Sequence, residues 1–182
     1  MNAIVSVTRD WGIGLEGGLA VANRADMKRF VALTCGGRRP KDAAEGEVLG
    51  TVVMGRKTFE SFPAGPLKAR RNVVVTRQAD YAPQGAEVVH GIEEALALVE
   101  GLDPDSVWLI GGESLYRQLL PHCRRVYVTK NDAVVAADAY FPDLDELDAW
   151  QVEREEPGGI TEEGVPFSYV TYVQVGSEQP RE

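Results

Sequence analysis

Cysteine and histidine are scarce in this 182-residue chain, at two each, and Cys35 and Cys123 stand apart without CxxC spacing. No zinc cluster and no disulfide framework can be assembled from so few ligands, so no metal is expected and a reducing cytoplasm fits best. Long apolar runs are missing too: no window approaches the ~20 residues of a membrane span. The opening "MNAIVSVTRD" has no basic n-region, so neither export nor insertion is expected. Positive charge is in deficit, with 19 Lys and Arg against 28 Asp and Glu and a net charge of −9. That balance argues against nucleic acid or an anionic membrane as the main partner, while leaving room for a local basic pocket. The length suffices for one core and a ligand cleft without crosslinks. One domain over residues 1–176 is therefore expected, with "SEQPRE" at 177–182 as a tail, no internal repeat, and a monomer because nothing demands a second copy.

The chain does hold short runs rich in valine and isoleucine: "AIVSVT" (3–8), "TVVMG" (51–55), "NVVVT" (72–76), "AEVVH" (86–90), "SVWLI" (106–110), "RVYVT" (125–129) and "YVTYV" (169–173). Unbroken apolar runs suggest strands covered on both faces, the habit of parallel sheets. Between them, 3.6-residue periodicity predicts helices at 24–34, near 57–62, at 92–100 and at 113–120, the last stopped by Pro121. The alternation reads as α/β, a mainly parallel sheet with crossover helices. No strong helical pattern separates the last two runs, so an antiparallel closing part is expected. The polar, glycine-rich segment "CGGRRPKDAAEGEVLG" (35–50) reads as a surface insertion.

Several stretches carry candidate chemistry, each with a plainer reading. In "GLEGGLAVANRADMKRF" (14–30), Asp26 stands where a glycine-rich loop gives way to a helix whose next inward positions are Met27, Phe30 and Val31. Asn23 as N-cap would put Asp26 at N3, where an acid suits the helix dipole, so a capping role is the plain alternative to an acid in a pocket. "MGRKTFES" (54–61) follows a strand and opens a helix, so backbone N–H groups with Arg56 and Lys57 could hold a phosphate. "VVVTRQ" (73–78) places Arg77 beyond a strand's carboxyl end, where ligands collect in open α/β sheets; a solvated loop arginine is the alternative. "WLIGGESLY" (108–116) runs strand, Gly111-Gly112, helix, and paired glycines let backbone approach a pyrophosphate or simply turn tightly. "LKARRNVVV" (67–75) sets Arg70 and Arg71 at a strand start, as an anion clamp or as a basic flank facing water.

Together "GIGLE", "MGRKTFESFP", "PLKARRNVVVTR", "LIGGESLY" and "TKNDAVVAADAYFPD" resemble, in order and spacing, a bacterial-type dihydrofolate reductase over about residues 2 to 173. The resemblance implies an eight-stranded, mainly parallel sheet with about four flanking helices, and hydride transfer from NADPH to 7,8-dihydrofolate giving tetrahydrofolate. It implies that Asp26 binds the pterin's N3 and 2-amino group, with water completing the protonation of N5. By the same resemblance Arg70 clamps the α-carboxylate of the glutamate tail; Ile4, Val5, Met27, Phe30, Phe62, Leu67 and Ile110 wall the substrate pocket; and Thr129 supports the acid. Ile13, Gly14, Leu19, Arg56, Lys57, Thr58, Thr76, Arg77, Gly111, Gly112, Ser114, Leu115 and Tyr116 fall on NADPH-contacting positions. Arg56 and Arg77 are the candidates for the 2′-phosphate, and a cis peptide is implied for Gly111-Gly112. Residues 9–23 correspond to a mobile lid that Asp138 steadies through its backbone, and antifolate inhibitors are implied as further ligands.

The sequence departs from the family at Ala20 and Val21, where most members carry Pro-Trp, and at Arg24, where a proline is usual. Without the indole N–H that helps hold a water near the pterin, lower turnover or a shifted pH profile is expected, with cofactor binding largely spared. Two rivals stand beside the reductase reading. One is a same-fold pyrimidine reductase, which would want a grip for a ribose phosphate; the other is a non-catalytic NADPH or folate binder.

Overall fold

Every valine-rich run becomes a strand, and every segment of helical period becomes a helix. The computed structural model describes residues 1–176, so the expected tail at 177–182 lies outside the described residues. In chain order the elements are β1 (Asn2–Val7), β2 (Gly12–Leu15), β3 (Gly18–Leu19), α1 (Arg24–Thr34), β4 (Gly50–Gly55), α2 (Arg56–Glu60), β5 (Arg70–Val75) and β6 (Glu87–Val89). They continue with α3 (Ile92–Val99), β7 (Val107–Leu109), α4 (Glu113–Leu119), β8 (Arg125–Asn131), β9 (Ala139–Tyr140), β10 (Trp150–Ile160) and β11 (Pro166–Gln174).

Eight strands form one sheet in the order β10-β11-β8-β1-β7-β4-β5-β6. From β8 to β6 all neighbours are parallel, whereas β11 is antiparallel to both β8 and β10. The sheet is thus α/β and mainly parallel with four helices, and its closing part is antiparallel as expected. Alternate residues of each central strand serve opposite faces. On β1, Ala3, Val5 and Val7 join Leu115 and Leu119 of α4 and the partly buried Ile92 and Leu96 of α3. Ile4 joins Val52, Met54, Phe59 and the partly buried Phe30 and Leu33 of α1. Two covered faces are the reason the runs lack polar alternation.

The strand of the main sheet that sequence reading missed is β10. Most of its residues are exposed, and "VEREEPGG" carries no apolar alternation. It is an edge strand paired only with β11, and its register shifts between Val152 and Arg154 and between Pro157 and Gly159. Charge, proline and bulges on an edge hinder pairing with a second molecule, and they also erase the sequence signal. At the second irregularity a Cβ on Gly158 would fall 2.2 Å from the Phe167 ring, so glycine is required by close approach. Short strands β3, β2 and β9 form a separate small sheet, in that order, beside the main one. No helix among the described residues is long and apolar enough to cross a membrane.

Candidate active site

A cleft of about 1750 Å³ opens across α1, the start of α2, the carboxyl ends of β5 and β7, and the loop ahead of α3. That exceeds the ~300–1,000 Å³ of a pocket for one drug-sized ligand, so two ligands can lie in it together. Its lining holds six Lys or Arg side chains (Arg56, Lys57, Lys68, Arg70, Arg77, Arg117) against three acids (Asp26, Glu113, Asp138). An acidic protein therefore carries a locally basic cleft.

Asp26 lies in the middle of it. Asn23 does cap α1, its side chain accepting from the N–H groups of Ala25 and Asp26, so the capping geometry is real. The Asp26 carboxylate serves another purpose: it is only 7% exposed, faces the cleft, and accepts a 2.6 Å hydrogen bond from the Thr129 hydroxyl on β8. Burial raises its pKa above the ordinary carboxylate value; the Thr129 bond, and next the Arg29 charge, oppose that rise. Asn23 also donates to Asn131 at 3.0 Å, and Asn131 donates to Ser6 and to the Val7 carbonyl. This buried amide chain fixes the first turn of α1, and hence Asp26, against β1 and β8. Asn131 escaped the sequence reading because an asparagine at a strand end has many innocent explanations.

Around Asp26 stand Ile4, Val5, Met27, Phe30, Phe62, Leu67 and Ile110, all lining the cleft. Met27 lies on the cleft side of α1. It is 47% exposed, because α1 turns that side chain toward the open cleft and away from the core. Thr129 does not line the cleft and reaches it only through Asp26.

Arg70 and Arg71, indistinguishable by local pattern, part company here. Arg71 forms a two-pronged ion pair with Glu87, at 2.7 and 2.8 Å. Arg70 is 9% exposed and faces the cleft, and no acid among the described residues pairs with it. Its Nε donates to the Lys68 carbonyl at 3.1 Å and its Nη1 to Thr34 Oγ1 at 2.9 Å, while Thr34 donates to the Phe30 carbonyl. Of five guanidinium N–H groups, three remain for an anion. Burial lowers the Arg70 pKa, yet a guanidinium keeps its charge in proteins. The preceding Ala69 adopts a left-handed φ of 58°, rare without glycine and costing about 1–2 kcal/mol. Pro40 of the 35–50 insertion also lines the cleft, so this segment is more than a surface excursion.

Toward the other end lie Ile13, Gly14, Leu19, Arg56, Lys57, Thr58, Thr76, Arg77, Gly112, Ser114, Leu115 and Tyr116. Gly111 is not part of the lining. The Gly111-Gly112 peptide is cis, Gly111 has φ +113°, and its carbonyl accepts from Gly55 N–H at 2.8 Å, which ties the β4 and β7 turns together. A Cβ on Gly111 would meet the Tyr116 ring at 3.0 Å. Tyr116 itself is buried, with its hydroxyl donating to the Ile4 carbonyl at 2.7 Å, so it presents ring surface and no free hydroxyl. Arg56 is already paired with Glu60 at 2.7 Å; Arg77 is exposed and enters no ion pair among the described residues. His90, Gly91 and Ile92 also line this end and were missed, although "VVHGI" is one more strand-to-helix turn.

The glycine-rich loop supplies β2 and β3, and β2 pairs with β9. Asp138 bonds the Glu16 N–H through Oδ2 at 2.8 Å, and its own N–H donates to the Gly14 carbonyl at 2.9 Å. Leu19 at 59% exposure overhangs the cleft. Arg24, which replaces the usual proline, spends its charge on Glu162 at 2.7 Å, with both side chains exposed. That charge is thus paired with the β10–β11 hairpin. Val21 is buried and offers no hydrogen-bonding side chain.

A family model described as "Dihydrofolate reductase" matches residues 1–174. Among similar proteins, the dihydrofolate reductase of Neisseria gonorrhoeae is 41% identical over 122 residues, covering 67% of this chain and 74% of its own length. That of Heliothis virescens is 32% identical over 174 residues, covering 90% and 91%. A solved structure of the Enterococcus faecalis dihydrofolate reductase, complexed with NADP(H) and RAB-propyl, superposes with a TM-score of 0.78 at 30% identity, covering 96% of this chain and 95% of that one.

Proposed function

This chain belongs to the dihydrofolate reductase family and catalyses NADPH-dependent reduction of 7,8-dihydrofolate, and from that premise we propose what its own residues do. The basic cleft end fits a dinucleotide phosphate: Lys57 and Arg77 offer charge there, and the Gly112 backbone is open to close approach. When bound, NADPH supplies the hydride that reduces the pterin C6–N5 double bond. Arg77 holds the 2′-phosphate with Arg56 as its neighbour, Arg56 being the weaker because Glu60 already engages it.

Asp26 grips the N3 and 2-amino edge of the pterin, two donors matched to one carboxylate. Thr129 fixes the orientation of that carboxylate, and Asn23 with Asn131 fixes the helix that carries it. Asp26 polarises the pterin, and water delivers the proton to N5. Val21 cannot help hold that water, so turnover is set lower than an indole there would allow. Phe30 and Ile110 exclude solvent from the ring, and Arg70 closes on the tail carboxylate. The small sheet anchored by Asp138 covers the reacting end against water.

The observation that carries this reading is the presence, in one cleft, of a buried acid and a buried arginine that pairs with no acid among the described residues. The test is dihydrofolate-dependent oxidation of NADPH by the purified protein beside Asp26→Asn. Loss of most activity in the variant at neutral pH is expected, and equal activity would remove Asp26 from its role. The compartment expected is the cytoplasm and the state a monomer; sedimentation at assay concentration checks the latter.

A further inference from the structure

Arg29 lies one turn beyond Asp26 on α1, at the i+3 position where helical side chains are neighbours. It is half-buried, its Nη1 is buried without a hydrogen-bond partner, and it enters no ion pair among the described residues. What holds it is aromatic. Its guanidinium carbon stands 4.2 Å from the centre of the Tyr169 ring and 5.8 Å from that of Tyr127. Tyr169 is the cross-strand partner of Thr129, the residue bonded to Asp26, so cation, carboxylate and threonine share one patch of the sheet.

Ring faces attract a guanidinium without neutralising it. The charged and titratable groups around this pair come from four elements. Tyr127 on β8, Tyr169 on β11 and Tyr116 on α4 each have a pKa raised by burial and stay neutral. Glu156 on β10 is engaged by Arg154 at 2.8 Å. Two acids feel the Arg29 charge: Glu156, which Arg154 also engages, and the buried Asp26, whose pKa that charge lowers against the effect of burial. We propose that Arg29 is a positioning residue for the reaction: held by tyrosine rings and bonded to no acid among the described residues, it acts through Asp26, keeping that side chain a carboxylate that can grip the pterin.

The consequence for catalysis rests on the reductase reading, but the ionisation can be measured without substrate. The ligand-free protein, labelled with 13C at aspartate carboxyls, is titrated by NMR, and the Asp26 signal is assigned by its loss in Asp26→Asn. Arg29→Met keeps the stem and removes the charge; since Nη1 has no partner, no buried group is orphaned. Arg29→Gln is a second neutral variant, and Arg29→Lys restores charge. The Asp26 midpoint is expected to move upward in the neutral variants and to return toward wild type with lysine. The KM for dihydrofolate should rise severalfold below the new midpoint, with kcat little changed. An unmoved midpoint in both neutral variants overturns the proposal, and a moved midpoint with unchanged KM overturns its link to pterin binding. A wild-type protein inactive with dihydrofolate would sink the reductase reading and leave the titration standing.

Discussion

Removing Arg70 should separate binding of the substrate's tail from chemistry at its ring. Two of its five donors are committed to Lys68 and Thr34, which aims the rest into the cleft, and no protein acid competes for them among the described residues. A charge-assisted bond to a carboxylate contributes about 1.5–3 kcal/mol, and each 1.4 kcal/mol is tenfold in affinity. Arg70→Met should therefore raise the KM for dihydrofolate by roughly ten- to a hundredfold. Thr34 still donates to the Phe30 carbonyl in the variant, so the bonds lost inside the protein are the two from Arg70 to the Lys68 carbonyl and to Thr34 Oγ1. The assay is steady-state NADPH oxidation with two substrates, dihydrofolate and a 7,8-dihydropterin lacking the glutamate. Wild type should prefer the first strongly, whereas the variant should treat the two alike, with kcat nearly unchanged. An equal rise in KM for both substrates would mean that Arg70 shapes the ring pocket, and the tail-clamp argument would be wrong.

Asp26→Asn should make the ligand-free protein more heat-stable at neutral pH while disabling it. The folded-state pKa of this acid is raised by burial, so folding binds a proton that the unfolded chain releases, and its stabilising contribution fades as pH climbs from the ordinary value of 3.8 through the raised one. Melting curves across pH should show the variant gaining on wild type over that window; a gain by wild type instead would reverse the sign and refute the linkage. Arg77→Ala should raise the KM for NADPH about tenfold or more, leave that for NADH nearly alone, and exceed the effect of Arg56→Ala, because Glu60 already shares the Arg56 charge. Steady-state kinetics with both cofactors check the ranking. Asp138→Ala should speed hydrogen exchange at the Glu16 amide by roughly two- to tenfold, the worth of one exposed hydrogen bond.

Much of this protein was legible in its sequence because the signals were local. A strand covered on both faces reads as an unbroken apolar run, and Asn23 ahead of a 3.6-period segment marks a helix start, so β1, β4, β5 and α1 were found nearly to the residue. The motifs, taken in order, also placed most of the cleft lining, since each sits at a strand-to-helix turn that the alternation itself locates. The exposure of Met27 was not legible from local pattern, because a helical wheel distinguishes apolar from polar and cannot separate a core from a cleft. β10 was illegible because a charged, bulged edge strand has no periodic code.

Local pattern also left Asp26, Arg70 and Arg71 ambiguous, and tertiary structure decided them by proximity between residues far apart in the chain. Asp26 became a cleft carboxylate when β8 brought Thr129 to within 2.6 Å of it across 103 positions. Arg71 was committed by Glu87, and Arg70 was left by the same fold without an acid among the described residues. Charge and residue type are written in the chain, but which charges are paired depends on distances that only packing sets, and an unpaired buried charge is what makes a binding site.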